Sequence, residues 1–264
     1  MFIPDTPTAD LNVTLVQTKL HWHQPEQNRH MLEQKLANLP PTDLIILPEM
    51  FTTGFSMQAA ELAEPTQGPT LAWMQQLAQD KGTVVTGSVI IEDSGNYYNR
   101  LFWVRPDGSY QTYDKRHLFR MAQEEKTFTA GAQHLLVELN GWKIMPLICY
   151  DLRFPVWSRN TAGYHLVLYV ANWPERRSLA WRTLLQARAI ENLAYCAGVN
   201  RVGEDENGIA YSGDSAVHSP EGETLFSLAH EETVKTLTLS AEKLREFRAR
   251  FPAYLDADSF TLQV

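Results

Sequence analysis

Short runs in which every residue is apolar limit the fold of this chain more than any other feature. Two of them are Leu44–Leu47 and Leu166–Ala171. Runs of this length suit β-strands that are covered on both faces. They are far too short for a membrane-spanning helix, which needs roughly 20 apolar residues. The pattern predicts sheets buried between other layers and no membrane partner.

Between these runs, strand and helix patterns alternate first, and hairpin patterns are added later. Because the chain has 264 residues, 44% of them hydrophobic, it can bury a full core. We therefore predict an α/β fold with mixed sheets, formed by one domain over residues 1–264. The clearest predicted strands are Leu11–Gln17, Thr83–Ile91, Tyr97–Val104, Trp142–Ile148 and Thr233–Leu239, and the predicted helices are Pro25–Leu39, Leu71–Asp80, Ser178–Ala194 and Ser240–Arg248.

Charge and composition exclude several classes of function. The net charge of −8 argues against a nucleic-acid-binding protein, which usually presents a basic face. No GxGxxG or phosphate-binding loop occurs, and no histidine or cysteine group has metal-ligand spacing. We expect neither a cofactor nor a metal. The chain begins without a secretory signal pattern and has only two cysteines, so we expect a cytoplasmic protein with free thiols.

Three polar residues follow strands or strand-like runs. Glu49 follows LIILP, Lys115 follows the predicted strand Tyr110–Tyr113, and Cys149 follows WKIMPLI. In α/β folds, the ends of strands are where active sites are assembled. The three side chains could supply a base, a cation and a nucleophile, which is a set suited to hydrolysis of an amide.

The chemistry gives each residue a role. A thiol with a pKa of about 8.5 needs a base or a positive field to react at neutral pH. Glu49 could take the proton of Cys149 and pass it to the leaving amine. Lys115 and the backbone N–H of Tyr150 could stabilise the oxyanion. A second possible base is His117, which would form a Cys–His dyad.

Each residue alone also has a structural interpretation. Buried cysteines are usually core residues, and we interpret Cys196, in the apolar segment LAYCAG, in that way. Glu49 could be a loop residue or a helix cap, and most lysines are surface charges. Asp151 and Arg153 are expected to be structural. The order of the three motifs along the chain favours catalysis over three separate coincidences.

The segments LPEMFTTGF, YDKRHLF and ICYDLRFP resemble, in this order, the signature segments of the nitrilase superfamily, whose members are carbon–nitrogen hydrolases. The resemblance covers nearly the whole chain and is closest to the omega-amidase branch. It implies an α-β-β-α sandwich and a Glu49–Lys115–Cys149 triad. It also implies hydrolysis of the terminal amide of short 2-oxo dicarboxylic monoamides, such as 2-oxoglutaramate and 2-oxosuccinamate, to a 2-oxo acid and ammonia through a thioester.

The resemblance further implies a second glutamate in the loop after the lysine. Glu124 fits by its spacing to Phe128 and Gly131, and Glu125 is the alternative. A homodimer is also implied, with the apolar face of Ser178–Leu193 as an interface element. The apolar tail, about residues 254–264, is expected to dock on the body of the protein or on the partner subunit.

The carboxylate of such a substrate would need a cation. The candidates are Arg176, Arg177, His117 and Arg120, and the sequence alone does not choose among them. Apolar pocket walls are expected from Phe51, Phe55, Tyr150 and Trp173. Two other functions remain open: a different C–N hydrolase, such as an N-carbamoyl amidase, an aliphatic amidase or a nitrilase, and a catalytically silent binding protein on the same fold.

Overall fold

The computed structural model describes residues 6–263. Its strands are β1 (Leu11–Gln17), β2 (Leu44–Ile46), β3 (Glu64–Pro65), β4 (Val84–Asp93), β5 (Asn96–Val104), β6 (Tyr110–Asp114), β7 (Val137–Leu139), β8 (Trp142–Ile148), β9 (Leu166–Ala171), β10 (Tyr195–Asn200), β11 (Val202–Glu204), β12 (Ala210–His218), β13 (Thr224–Ala229) and β14 (Thr233–Leu239). Its α-helices are α1 (Pro25–Leu36), α2 (Ala59–Leu62), α3 (Pro69–Lys81), α4 (Ser178–Asn192) and α5 (Ala241–Arg250).

The strands form two mixed sheets. The first has the order β14-β1-β2-β4-β5-β6, with β3 paired to β4. The second has the order β11-β12-β10-β9-β8-β7, with β13 paired to β12. The pairs β1–β2 and β2–β4 of the first sheet and β8–β9 and β9–β10 of the second are parallel. β2 and β9, each of which lies between two parallel neighbours, are apolar at every position, as expected for strands with both faces covered.

Alternate side chains of the first sheet enter two different cores. Leu44 and Ile46 of β2 pack in the core between the two sheets, together with Ile144 and Leu166 of the second sheet. Ile45 faces the other way and packs with residues of α1 and α3. On the second sheet, α4 and α5 contribute the buried residues Trp181, Leu185, Ala189 and Leu244. The layers are therefore helix, sheet, sheet, helix, as predicted.

The structure differs from the prediction at some element boundaries, and it contains elements that were not predicted, among them β13 and α2. Helix α1 ends at Leu36, three residues before the predicted end at Leu39. The short strands β3, β7 and β11 were not predicted, because two or three residues are too few to show a period. In the tail, Leu262 packs against the core, whereas Val264 lies outside the described residues. Among the helices of residues 6–263, none has the length and apolar character that a membrane crossing requires.

Candidate active site

Glu49 lies in the turn that follows β2, and it is fully buried. Its carboxylate accepts a hydrogen bond from the side-chain amide of Asn99 at 2.8 Å and another from the backbone N–H of Asn172 at 2.8 Å. The Asn172 side chain also donates to the backbone carbonyl of Glu49, at 2.5 Å. Since Asn99 belongs to the first sheet and Asn172 follows β9 of the second, both sheets orient this carboxylate.

Lys115 follows β6 directly, and its ammonium is 1% exposed. Nζ lies 2.9 Å from Oε1 of Glu49 and 2.9 Å from Oε1 of Glu124. Burial opposes the charge of this lysine, but the carboxylates of Glu124 and Glu49 outweigh burial and raise its pKa. The lysine is therefore a permanent cation between two acids.

The loop after Lys115 brings the second glutamate back to it. Glu124 is fully buried, and its carboxylate also accepts the backbone N–H of Phe119. Burial raises the pKa of Glu124, and the Lys115 ammonium opposes that rise. Glu125, the alternative, points away from the lysine, and its carboxylate lies 3.9 Å from the exposed side chain of Arg120. At the loop end, a Cβ on Gly131 would lie 2.1 Å from the carbonyl oxygen of Asp114, so glycine is required there.

Cys149 begins a 3₁₀ helix (Cys149–Arg153) directly after β8. Its φ of 44° lies in the left-handed region, which is strained for a residue with a side chain. Burial raises the pKa of the Cys149 thiol, and the charge of Glu49 and a hydrogen bond to it add to the rise, while Lys115 opposes it. The neutral thiol is thus the resting form, with a carboxylate beside it that can accept its proton.

A cavity of about 430 Å³ opens over Cys149 and Lys115. Five of the eight candidate substrate-binding residues line it: Phe55, Tyr150, Trp173, Arg176 and Arg177. The ring of Phe55 lies 5.1 Å from Nζ of Lys115. The wall also contains residues that the sequence analysis did not single out, namely Trp22, Phe119, Asn172, Asp205 and Tyr211.

Three arginines, Arg153, Arg176 and Arg177, line the same cavity. Within residues 6–263, the arginines that pair with carboxylates are others: Arg29, Arg100, Arg120, Arg188 and Arg250. The pKa of Arg177 is lowered by partial burial and then by the like charge of Arg176. Arg153, which was expected to be structural, also lines the cavity, and its guanidinium lies 5.1 Å from the ring of Trp173.

Three other candidates lie elsewhere. Phe51 is fully buried in the core beneath α3 and does not line the cavity. His117 is bound to Asp151 through Nδ1 at 2.8 Å, and neither it nor Arg120 lines the cavity. A Cys149–His117 dyad therefore has no basis in this geometry. In residues 6–263, no group of three or more His, Cys, Asp or Glu side chains is arranged to hold a metal ion.

This fold and this site define a class. The carbon-nitrogen hydrolase family model matches residues 12–249. The chain belongs to this family, within the nitrilase superfamily, and it is a hydrolase that acts on carbon–nitrogen bonds.

Particular relatives narrow the class. The chain is 49% identical to Omega-amidase YafV of Escherichia coli (strain K12), over 96% of this chain and 98% of the relative. It is 32% identical to the 2-oxoglutaramate amidase of Bacillus subtilis (strain 168), over 92% of this chain and 96% of the relative. XC1258 from Xanthomonas campestris, a CN-hydrolase superfamily protein, matches with a TM-score of 0.95 and 49% identity, over 97% of this chain and 100% of that chain. These relatives support an amidase function, and they confirm the predicted resemblance to omega-amidases.

Proposed function

We propose that this protein is an omega-amidase, which hydrolyses the terminal amide of short 2-oxo dicarboxylic monoamides such as 2-oxoglutaramate and 2-oxosuccinamate. One observation carries the proposal: the cation Lys115 and the thiol of Cys149 line a cavity together with three arginines that have no carboxylate partner within residues 6–263. The buried base Glu49 lies behind them, 2.9 Å from the lysine ammonium. The reactive groups suit an amide, and the arginines suit a carboxylate on the same molecule. The names of the relatives point to the same chemistry.

The reaction proceeds in two halves. Sγ of Cys149 attacks the amide carbon while its proton moves to Glu49, because the thiol is neutral at rest. The C–N bond then breaks, Glu49 returns the proton to the leaving nitrogen, ammonia departs and a thioester remains. In the second half, Glu49 takes a proton from water as the water attacks the thioester. The tetrahedral adduct collapses to the 2-oxo acid, and the proton returns to the thiolate.

The positive charge next to the thiol serves both halves. Each attack places negative charge on the carbonyl oxygen, and Lys115 with the backbone N–H of Tyr150 would stabilise it. Glu124 is assigned to positioning the lysine, because its two carboxylate oxygens lie 2.9 and 3.0 Å from Nζ. It contributes no proton in this scheme, since its partner Lys115 stays charged.

Arg177 and Arg153 are proposed to bind the substrate carboxylate. Arg177 lies near enough to Cys149 for the two to interact electrostatically, and its guanidinium lies 5.0 Å from the ring of Phe119. The like charges of Arg176 and Arg153 both lower the pKa of Arg177, and an anion bound in the cavity would offset this repulsion. A bidentate pair between an arginine and the carboxylate would set the distance from the carboxylate to Sγ.

Ammonia release from a panel of compounds tests the substrate. The panel contains 2-oxoglutaramate, 2-oxosuccinamate, glutaramate, an uncharged aliphatic amide, an N-carbamoyl amino acid and a nitrile. We expect the highest kcat/KM for the two 2-oxo dicarboxylic monoamides, 2-oxoglutaramate and 2-oxosuccinamate. If the uncharged amide, the carbamoyl compound or the nitrile is the best substrate, the protein is another C–N hydrolase and the specific proposal is wrong.

The arginine assignment has its own variant pair. Arg177→Ala should raise the KM for 2-oxoglutaramate about 10- to 100-fold, because a charge-assisted pair is lost. Arg245→Ala is the matched control, since Arg245 is exposed on α5, away from the cavity. Equal KM values for the two variants would mean that another group binds the carboxylate.

We also infer that residues 1–264 act as one catalytic domain, that the protein works in the cytoplasm and that it forms a homodimer. Both cysteines lie among the described residues and are free thiols, as is usual in a reducing compartment. On α4, Leu179 is 73% exposed and Ile190 is 50% exposed. They are eleven residues apart, which is three helical turns, so they share one face.

This apolar face is the proposed contact between subunits. Leu179→Asp should convert a dimer to a monomer in light scattering coupled to gel filtration. Leu225→Asp, which changes another partly exposed leucine on β13, is the control and should leave the mass unchanged. A dimer that survives Leu179→Asp would place the interface elsewhere.

A further inference from the structure

We propose that Asp151 is a positioning residue. It holds the end of β6, which Lys115 directly follows, in a fixed position relative to the nucleophile turn, the 3₁₀ turn that begins at Cys149. Asp151 lies two residues after Cys149 and is fully buried. It does not line the cavity, so it cannot touch substrate, and it takes no part in the proton transfers described above. The role of Asp151 is to keep Lys115 and Cys149 at the separation that the reaction needs.

The four donors to this carboxylate come from both sides of the site. Oδ1 accepts from the backbone N–H of His117 at 2.9 Å and from its ring Nδ1 at 2.8 Å. Oδ2 accepts from the hydroxyl of Tyr113 at 2.7 Å and from the backbone N–H of Ile148 at 3.1 Å. Tyr113 and His117 are two residues before and two residues after the catalytic lysine. Ile148 immediately precedes the nucleophile, so one carboxylate joins both motifs.

Further contacts fix the groups that donate to Asp151. Trp157 donates its indole N–H to the hydroxyl of Tyr113 at 3.0 Å. The ring of His117 stacks on Phe154 with centroids 3.7 Å apart and planes 6° apart. Hydrogen bonds to a charged acceptor are about twice as strong as those between neutral groups. The network is therefore stiff, and it lies behind the site rather than inside it.

The backbone at the nucleophile explains why such a brace is needed. Cys149 has a φ of 44°, which costs free energy and persists only where surrounding contacts enforce it. The bond from Ile148 to Asp151 is the contact nearest to that turn. On the other side, Glu49 and Glu124 hold the Lys115 ammonium, and the Lys115 backbone bonds to Asn99 and Gly131. Asp151 adds the link from Tyr113 and His117, which flank the lysine, to the nucleophile turn. A displacement of about 1 Å at such a site can lower the rate by about 100-fold.

Asp151→Asn tests the proposal, because an amide keeps the size of the side chain. Its NH₂ group cannot accept a hydrogen bond, so wherever it points, a donor loses its partner. We expect kcat to fall about 30- to 100-fold while KM changes by less than about threefold. If Lys115 moves away from the thiol, the pKa of Cys149 rises further. The rate of Cys149 alkylation by iodoacetamide should then fall at a given pH and shift to higher pH.

A tyrosine pair keeps the test decisive if Asp151→Asn does not fold. Tyr113→Phe removes the bond to Asp151 and the one accepted from Trp157, and Tyr164→Phe removes the bond from another buried tyrosine to the carbonyl of Ser158, at 2.6 Å. Both variants should lose stability, but only Tyr113→Phe should lose kcat, by about 3- to 10-fold. Equal kcat in the two tyrosine variants, or normal kcat and normal alkylation in Asp151→Asn, would overturn the proposal.

The expected fall in kcat rests on the proposed amidase function, whereas the expected change in Cys149 alkylation does not. Alkylation reports the thiol directly and needs no amide. If wild type hydrolyses none of the amides in the panel but Asp151→Asn still slows alkylation, the proposed function fails and the positioning role stands. If wild type is active and both variants match it in kcat and alkylation, the function stands and the positioning role fails.

Discussion

The two cysteines of this chain are both buried, but they differ in backbone conformation and in charged neighbours. Cys196 lies within β10, between Val167 of β9 and His218 of β12, in an ordinary extended backbone. Cys149 lies just past the end of β8, in a left-handed conformation. Burial raises the pKa of both thiols. Burial and the pKa direction therefore do not separate a reactive cysteine from a core cysteine.

Their charged neighbours do separate them. The charges of Glu49, Lys115 and Glu124 shift the pKa of the Cys149 thiol, and the Glu49 carboxylate can accept its proton. The charges that shift the pKa of the Cys196 thiol are those of Arg188 and Glu191, which form an ion pair with each other. Cys149 can react despite its raised pKa, because Glu49 can accept the proton as the sulfur attacks.

Backbone strain follows the same division. Met50 after Glu49, Gln123 before Glu124 and Cys149 itself all have positive φ values, of 42°, 57° and 44°. Each of the three glutamate and cysteine side chains at the site is thus presented by a strained turn. β10 has no such residue between Tyr195 and Asn200. The strained turns direct the reactive side chains toward the site, and the regular strands hold those turns in place.

The largest expected difference between the two cysteines is in activity. Cys149→Ala should lower kcat by at least about 10⁴-fold, because the nucleophile is lost. Cys196→Ala should keep kcat within about twofold and lower the free energy of unfolding by about 1–2 kcal/mol. Steady-state kinetics and urea unfolding of both variants measure this. Residual turnover above about 1% in Cys149→Ala would reject Cys149 as the nucleophile.

Glu49→Gln should make the Cys149 thiol more acidic while it lowers kcat. Removing the carboxylate should lower kcat about 10²- to 10⁴-fold, because the general base is lost. It should also lower the pKa of Cys149, since the charge and hydrogen bond of Glu49 both raise it. Alkylation of Cys149 should then shift to lower pH although turnover falls, whereas Cys196 should be unaffected. A shift to higher pH would mean that Glu49 does not face the thiol.

The two neighbouring glutamates give a matched test of the site's electrostatics. Glu124→Gln should lower kcat about 10- to 100-fold, because Lys115 loses one of its two carboxylates. Glu125→Gln changes the adjacent residue, which does not contact the lysine, and should stay within about twofold of wild type. Steady-state kinetics on the preferred amide checks both. Equal losses would assign the effect to the loop rather than to the contact.

The smallest expected effect is on stability at alkaline pH. Each buried thiol has a folded pKa above its unfolded value of about 8.5, so its stabilising contribution is complete below pH 8.5 and is lost as pH rises above it. Wild type should lose up to about 1.4 kcal/mol per pH unit for each thiol above that pH. Cys196→Ala should remove one such slope in urea unfolding between pH 8 and 10. Identical slopes would contradict the raised pKa of Cys196.

Several secondary-structure elements could be predicted from the sequence, because local interactions determine where they lie. Strands such as Leu11–Gln17, Trp142–Ile148 and Thr233–Leu239 were predicted to the residue, because apolar runs between turn residues reflect burial directly. The start of α5 was predicted at Ser240, and in the structure Ser240 is its N-cap and accepts a hydrogen bond from the backbone N–H of Lys243. These are local interactions, and neighbouring residues determine them.

What lay beyond local patterns had to come from the tertiary structure. The sequence by itself determined the layered fold and placed Glu49, Lys115 and Cys149 at strand ends. It favoured Glu124 but left Glu125 open, since one residue of register in the 3₁₀ helix Glu124–Lys126 decides which carboxylate faces the lysine. It also did not predict that Arg153 lines the cavity or that Asp151 accepts four hydrogen bonds. Tyr113 and His117 are more than thirty positions from Asp151, and only the packing of the two sheets brings them together.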